Sequence, residues 1–315
     1  METSDLKLNG ALLINKPEGM SSFGVIEELK KSLRESKGLK RKEMPKLGHG
    51  GTLDPFATGL LVVLVGSASK LARYFLNSEK GYEGVFRFGE TTLPGDPTDE
   101  ISEKTQALPD SKESLQLLAS QLCMEPYLQT PPMHSSKKHQ GKPLYKLARQ
   151  GKTVEREPKA CTLKNFEILS YESPRAPFQV HCSSGTYIRT LAQDLGKMAG
   201  SLGMLDSLNR THCDHFKLEN ALDLKSVCAA EDWSTLSCWV PFDELLQKYP
   251  KTLASTGEVH ALRQGRQNVL LGLVRRSNPA PTPSHPTWPL GIYHENQLVA
   301  VASRAERGWE LDRVF

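Results

Sequence analysis

The sequence predicts a chain of mixed α and β class, with one large unit followed by a small one built mostly of short strands. Three observations carry this. First, 315 residues with 38 % hydrophobic content can bury a large core, and that length accommodates a large domain plus a small one. Second, apolar runs that read as strands interleave with segments of helical spacing through most of the chain. Third, the composition shifts after Pro250, where short strand candidates lie between glycine-containing turns. We therefore divide the chain into residues 1–249 and 250–315.

Each element follows from its residues in order. Gly10 to Asn15 (GALLIN) reads as a buried strand, and Lys16-Pro17-Glu18-Gly19 as the turn after it. Ser21 or Ser22 caps a helix beginning near Phe23, in which Val25, Ile26, Leu29 and Leu33 recur at helical spacing. The stretch Gly48 to Gly66 (GHGGTLDPFATGLLVVLVG) joins a glycine-rich turn to the apolar run Leu60 to Val65, a buried strand. Asp54 stands at the lip of that core. Pro55 lacks an N–H and biases Asp54 away from helical geometry, while Gly48, Gly50 and Gly51 let the backbone pass close to a ligand or a neighbouring strand. Ser67 to Leu76 has helical spacing, Tyr82 to Phe88 alternates like a strand, and Ser111 caps an amphipathic helix running to Leu122. Phe178 to Ser183 reads as a strand that turns at Ser184 to Arg189 into a helix with Leu191 and Leu195 inward. Past a boundary near Tyr249-Pro250-Lys251, the strand candidates are Val269 to Val274, Gly291 to Tyr293 and Leu298 to Ala302, with Ser277 to Pro289 as a Pro-rich loop.

Several function classes are excluded on composition. The apolar runs fall far short of the roughly twenty residues that span a bilayer, and the opening METSDLKLNG is neither a secretory signal nor a transit helix, so a cytoplasmic protein is expected. Cys123, Cys161, Cys182, Cys213, Cys228 and Cys238 lie far apart with no C-x-x-C pair, which argues for reduced thiols rather than zinc or disulfides. His212, Cys213 and His215 lack a second ligand cluster, and no metal is assigned. The glycine stretch is not a phosphate loop, because the Lys-Ser/Thr pair that would follow is missing. The net charge of +4 is mild but unevenly spread. Glu27 to Lys46 carries +4 and His134 to Lys159 carries +6, leaving about −6 on the rest. Concentrated basic runs of this kind fit a polyanion-binding surface.

The segment GHGGTLDPFATGLL resembles the signature of the TruB-type pseudouridine synthases, and the resemblance implies that Asp54 is catalytic. It extends along the chain. Asn15-Lys16-Pro17 is similar to the family's first motif, with Asn15 where Asp is usual, and Lys16 is expected to contact RNA. Lys80-Gly81-Tyr82 resembles the K-x-Y motif, whose Tyr, here Tyr82, stacks on the target base. Gly185 to Leu191 (GTYIRTL) resembles the motif that places Tyr187 beside the base, Ile188 beneath it and Arg189 on the catalytic Asp. A bidentate guanidinium there would hold Asp54 in one rotamer and lower its pKa. Leu205 to Thr211 is similar to the L-x-R-T segment, making Leu208 an apolar wall, and His49 is implied to fill the gap left by a flipped base. In Phe88 to Asp96, Leu93 replaces one family Asp and Asp96 matches the other; neither is assigned a catalytic role. Gln129 to Arg149 resembles an RNA-gripping insertion of the stand-alone bacterial tRNA enzymes, spanning about 124–152, with Lys137, Lys138, Lys142 and Arg149 as RNA contacts. Residues 250–315 resemble the small RNA-binding PUA domain.

The resemblance implies an α+β fold, a catalytic domain with a large central mixed sheet followed by a PUA-like domain. It also implies isomerisation of uridine to pseudouridine in the T loop of tRNA, at position 55, without a cofactor. The partner is tRNA, and a monomer needing no other protein is expected. Two other readings stand beside it: a non-catalytic RNA chaperone, and a guide-RNA-dependent synthase. The joint presence of Asp54, Tyr82 and Arg189 argues against the first, and the insertion around Lys137 to Arg149 against the second.

Overall fold

A computed structural model describes residues 8–315 apart from 41, 136, 137, 140, 149, 278–288 and 307. In chain order the elements used below are β1 (Gly10–Lys16), α1 (Ser22–Lys37), β2 (Leu47–His49), β3 (Thr58–Val65), α2 (Ala72–Leu76), β4 (Lys80–Phe88), α3 (Lys112–Met124), β5 (Tyr127–Gln129), β6 (Leu163–Ile168), β7 (Arg175–Cys182), α4 (Ile188–Met198), β8 (Gly203–Cys213) and β9 (Leu222–Asp223). A central mixed sheet runs β6–β7–β4–β8–β3–β1–β9, with β2 also paired to β3.

The middle of this sheet is buried on both faces, which is why β1 and β3 are apolar without alternation. Every residue from Leu60 to Val65 is fully buried, and β1 pairs antiparallel with β3 along its whole length. β3 meets β8 in parallel for only two residue pairs, Thr58 with Asn209 and Gly59 with Arg210. Gly59 permits that close crossing: its φ is +99°, and a side-chain carbon there would lie 2.4 Å from the Arg210 carbonyl oxygen. Two register shifts in the β4–β8 ladder, at Leu205/Ser207 and Arg210/His212, bracket Leu208 and Arg210. Such bulges re-aim side chains beside functional sites.

Helices cover the sheet as the sequence spacing predicts. Ser21 caps α1, accepting a hydrogen bond from the Gly24 N–H at 3.0 Å, and Val25, Ile26, Leu29 and Leu33 face the β1–β3 core. Ser111 caps α3 in a reciprocal pair with Ser114. Together α3 and α4 close a second core over β4, β6 and β7, where Phe86 and Phe178 stack at 3.8 Å.

The C-terminal part is a separate small sheet of β10 (Lys251–Leu253), β11 (Leu290–His294), β12 (Gln297–Ala305) and β13 (Gly308–Val314), packed by α5 (Thr256–Arg263) and α6 (Gln267–Ser277). One expectation is overturned here. Val269 to Val274 belongs to α6, not a strand, with Leu270 and Leu273 buried one turn apart. The Pro-rich loop expected at Ser277 to Pro289 falls almost entirely on 278–288, outside the described residues. This unit also shares the first core, since Tyr293, Leu298 and Val301 join the β1–β3 cluster. The Asp312 carboxylate ties it to α2 by accepting from the Tyr74 hydroxyl and pairing with Arg73. No helix among the described residues is long and apolar enough to cross a membrane.

Candidate active site

The first motif and the glycine stretch are far apart in sequence and interlock in space. Ser22, at the start of α1 and buried, accepts from the Leu53 N–H at 2.7 Å and donates to the Leu53 carbonyl at 3.1 Å. The Lys16 ammonium donates to the carbonyls of Met20 (2.6 Å), Pro17 (2.7 Å) and Pro55 (3.2 Å). Gly19 adds an N–H to the Pro55 carbonyl at 2.8 Å. Residues on both sides of Asp54 are thus clamped by the turn that follows β1. This corrects the expectation for Lys16, whose side chain is fully buried and spent on main-chain oxygens rather than turned toward RNA. Burial lowers its pKa to about 8, with the Asp54 charge pulling the other way.

Two further buried cations brace the same wall. Arg210 donates from Nε to the Leu60 carbonyl at 2.7 Å and from Nη2 to the Gly51 carbonyl at 3.1 Å. Lys80 donates to the carbonyls of Phe75, Ser78 (2.8 Å) and Leu76 (3.2 Å), and burial lowers its pKa. Gly50 lets the loop lie on α2, where any side chain would meet Phe75 Cβ at 2.7 Å.

Asp54 opens into a pocket of about 230 Å³ lined by, among others, Tyr82, Tyr187, Ile188, Arg189 and Leu208. This is smaller than the roughly 300–1,000 Å³ of drug-sized ligand sites. Arg189 donates from Nε to Asp54 Oδ2 at 2.9 Å. The expected bidentate fork is absent. The rest of the guanidinium goes to the Pro94 carbonyl (2.9 Å), the His134 carbonyl (2.7 Å) and Asp96 Oδ2 (3.4 Å). Asp54 is also not held below the ordinary carboxylate range. Its pKa is raised, because burial and the nearby Asp96 charge outweigh Arg189 and Lys16. The side chain nevertheless keeps 38 % of its surface open to the pocket, so the carboxylate is accessible to a ligand.

The pocket unites Asp54, Tyr82, Tyr187, Arg189 and Leu208 from four separate stretches of sequence. Tyr82 projects from β4 with its pKa pushed up to about 12, chiefly by burial, so its hydroxyl stays protonated. Tyr187 sits at the start of α4, its pKa also raised by burial. His49 is not part of the lining. It ends β2, within 3.4 Å of the Gly51 N–H through Nδ1, and burial lowers its pKa. Lys142 is exposed in a short hairpin in which Lys138 pairs with Pro143 and His139 with Lys142. Lys137 and Arg149 lie outside the described residues.

Sequence reasoning left out Asp96, which is buried and shares Arg189, as well as Lys80 and Arg210. Asp96 already matched a family position. Lys80 and Arg210 are the basic positions of the K-x-Y and L-x-R-T motifs, but nothing local announces that their side chains point inward to main-chain carbonyls. Among the described residues no group of three or more His, Cys, Asp or Glu side chains is placed to hold a metal ion.

Residues 37–188 match the family model described as TruB family pseudouridylate synthase, N terminal domain. The chain is 36 % identical over 263 residues to tRNA pseudouridine synthase B of Neisseria meningitidis, covering 82 % of this chain and 81 % of that one. It is 39 % identical over 231 residues to the protein of that name from Bordetella parapertussis, covering 72 % and 90 %. Among solved structures, a chain of a Cbf5–Nop10–Gar1 complex matches 97 % of this chain and 84 % of its own, with a TM-score of 0.68 at 19 % identity, which shows a shared fold.

Proposed function

The chain belongs to the TruB family of pseudouridine synthases, and we propose that it converts the T-loop uridine of tRNA to pseudouridine, with Asp54 as the catalytic carboxylate. Uridine isomerisation breaks the N1–C1′ bond, turns the base and rejoins it through C5, with no net redox change. A base inside an RNA stack must first be extruded into a pocket. The observation that carries the reading is the Asp54–Arg189 contact of 2.9 Å in a small pocket walled by Tyr82 and Tyr187. The tyrosine rings offer stacking faces, Leu208 an apolar wall, and Arg189 fixes the rotamer from which Asp54 meets the ribose or base. Expulsion of water by the entering base strengthens these contacts.

The basic hairpin containing Lys138 and Lys142, with Lys137 and Arg149, is read as the grip on the tRNA backbone, supported by the net charge of +6 over His134 to Lys159. The C-terminal sheet is read as a PUA-like RNA-binding unit, and His49 as the group that fills the vacated stack. The enzyme acts in the cytoplasm as a monomer, with no guide RNA and no obligatory protein partner. The test is incubation of purified protein with unmodified tRNA alone, followed by mapping of pseudouridine by chemical labelling. Product at a single T-loop position is expected. Tight tRNA binding with no product would favour the chaperone instead.

A further inference from the structure

The chain before the basic hairpin grips the active site from behind. Gln129, at the end of β5, is buried to 1 % exposure and does not line the pocket. Its amide oxygen accepts from the Tyr187 N–H at 2.7 Å, and its amide nitrogen donates to the Tyr187 carbonyl at 3.0 Å. Only one orientation of the amide satisfies both main-chain groups. The nitrogen also lies 3.3 Å from the Tyr127 hydroxyl, which in turn donates to the Asp194 carboxylate on α4. Burial and that carboxylate raise the Tyr127 pKa, so its hydroxyl remains a donor.

The residue so held opens a helix, and its carbonyl also accepts from the Leu191 N–H at 3.1 Å. Tyr187 is the N-cap of α4 and makes no side-chain capping bond. Two residues later Arg189 reaches Asp54, while the Tyr187 side chain forms part of the pocket wall. The same stretch of chain meets Arg189 again through the His134 carbonyl and lines the pocket through Ser135.

We propose that Gln129 is a positioning residue for the isomerisation: by fixing the Tyr187 main chain at two points, it sets both the tyrosine in the pocket wall and the helix start that aims Arg189 at Asp54. This rests on the synthase reading above. The alternative is that Gln129 stabilises the fold and nothing more. Gln116 supplies the control, because it makes the same kind of two-point clamp away from the site: its oxygen accepts from the Ile168 N–H at 2.8 Å and its nitrogen donates to the Phe166 carbonyl at 3.1 Å.

The experiment compares the parent with Q129M, Q129E and Q116M in single-turnover pseudouridine formation, tRNA-binding titration and thermal melting. Methionine removes both clamp bonds, whereas glutamate keeps the acceptor and loses the donor. Both Gln129 variants should slow the step roughly 10- to 100-fold, the scale of a catalytic group misplaced by about 1 Å, with the tRNA Kd within about threefold. Their acid limb should also move to higher pH. Asp54 is faced by Arg189, Lys16, Asp96 and Tyr187, and loosening Arg189 removes a pull that favours its ionised form. Q116M should lose stability while keeping the parent's rate and limb. If Q129M does not melt cooperatively, Q129E carries the test. Parent-like rates and limb in the Gln129 variants, or equal slowing by Q116M, would overturn the proposal. A parent that makes no pseudouridine would overturn the synthase reading itself.

Discussion

The two sides of the pocket use buried positive charge in opposite ways. On the glycine-loop side, Lys16, Lys80 and Arg210 are buried and donate to carbonyl oxygens of Met20, Pro55, Phe75, Gly51 and Leu60. On the opposite side, Arg189 is buried, pairs with the carboxylates of Asp54 and Asp96 and donates to two carbonyls. A cation on carbonyls fixes a loop, whereas a cation on a carboxylate also tunes a reactive group. Burial and positive charge therefore do not identify chemistry until the partner is known.

The sharpest way to test this division is to swap cations on each side. Arg189→Lys keeps the charge but cannot hold Asp54, Asp96 and two carbonyls from one planar fork. The single-turnover rate should fall by roughly 100-fold or more, with tRNA affinity within a few-fold. A parent-like rate would erase the distinction. On the other side, Lys80→Met should act on stability. Each main-chain oxygen left without its donor costs about 1–3 kcal/mol, which denaturant titration would register as a lowered midpoint.

A smaller effect should appear in the pH dependence. Because burial raises the Asp54 pKa, the ionised carboxylate is lost at a pH above that of an ordinary aspartate. The rate should rise with pH along a limb displaced upward from the free carboxylate value, and measured pH–rate profiles would show it. A limb at or below that value would mean that Arg189 outweighs burial. The mildest effect concerns the surface. Neutralising Lys137, Lys138 and Lys142 together should flatten the log–log salt dependence of tRNA binding by about two units. An unchanged slope would reduce the hairpin to a solvated face.

The same contrast explains what could be read from the chain without coordinates. Leu60 to Val65 is apolar without a break, carries three valines and is bounded by Gly59 and Gly66, which together favour a buried strand, so β3 and the Asp54 lip were legible. Ser21 and Ser111 announced α1 and α3 because capping is local chemistry. Val269 to Val274 misled because five apolar residues around one glycine satisfy either period. The deciding evidence lies in tertiary packing, where Leu270 and Leu273 face one core. Lys16 misled for a related reason: whether a lysine turns toward solvent or toward three carbonyls depends on residues near Pro55, 39 positions away. Arg189 lies beside Asp54, but its other obligations to Pro94, His134 and Asp96 come from loops that no local pattern connects to it. Gln129 opens the segment that resembles the insertion, but nothing local marks its clamp, since its whole effect passes through the main chain of Tyr187.

The central claim is that Asp54 is the group that does chemistry in this pocket, and Asp54→Asn tests it most directly. The amide keeps the volume and can still accept from Arg189, while the charge and the nucleophilic oxygen are lost. A carboxyl whose folded pKa is raised costs stability once pH exceeds its unfolded value, so removing that charge should leave the thermal midpoint at neutral pH unchanged or higher. The account predicts tRNA binding within a few-fold of the parent, a melt no lower, and no pseudouridine in a single-turnover assay. Product formed by Asp54→Asn near the parent rate would contradict it.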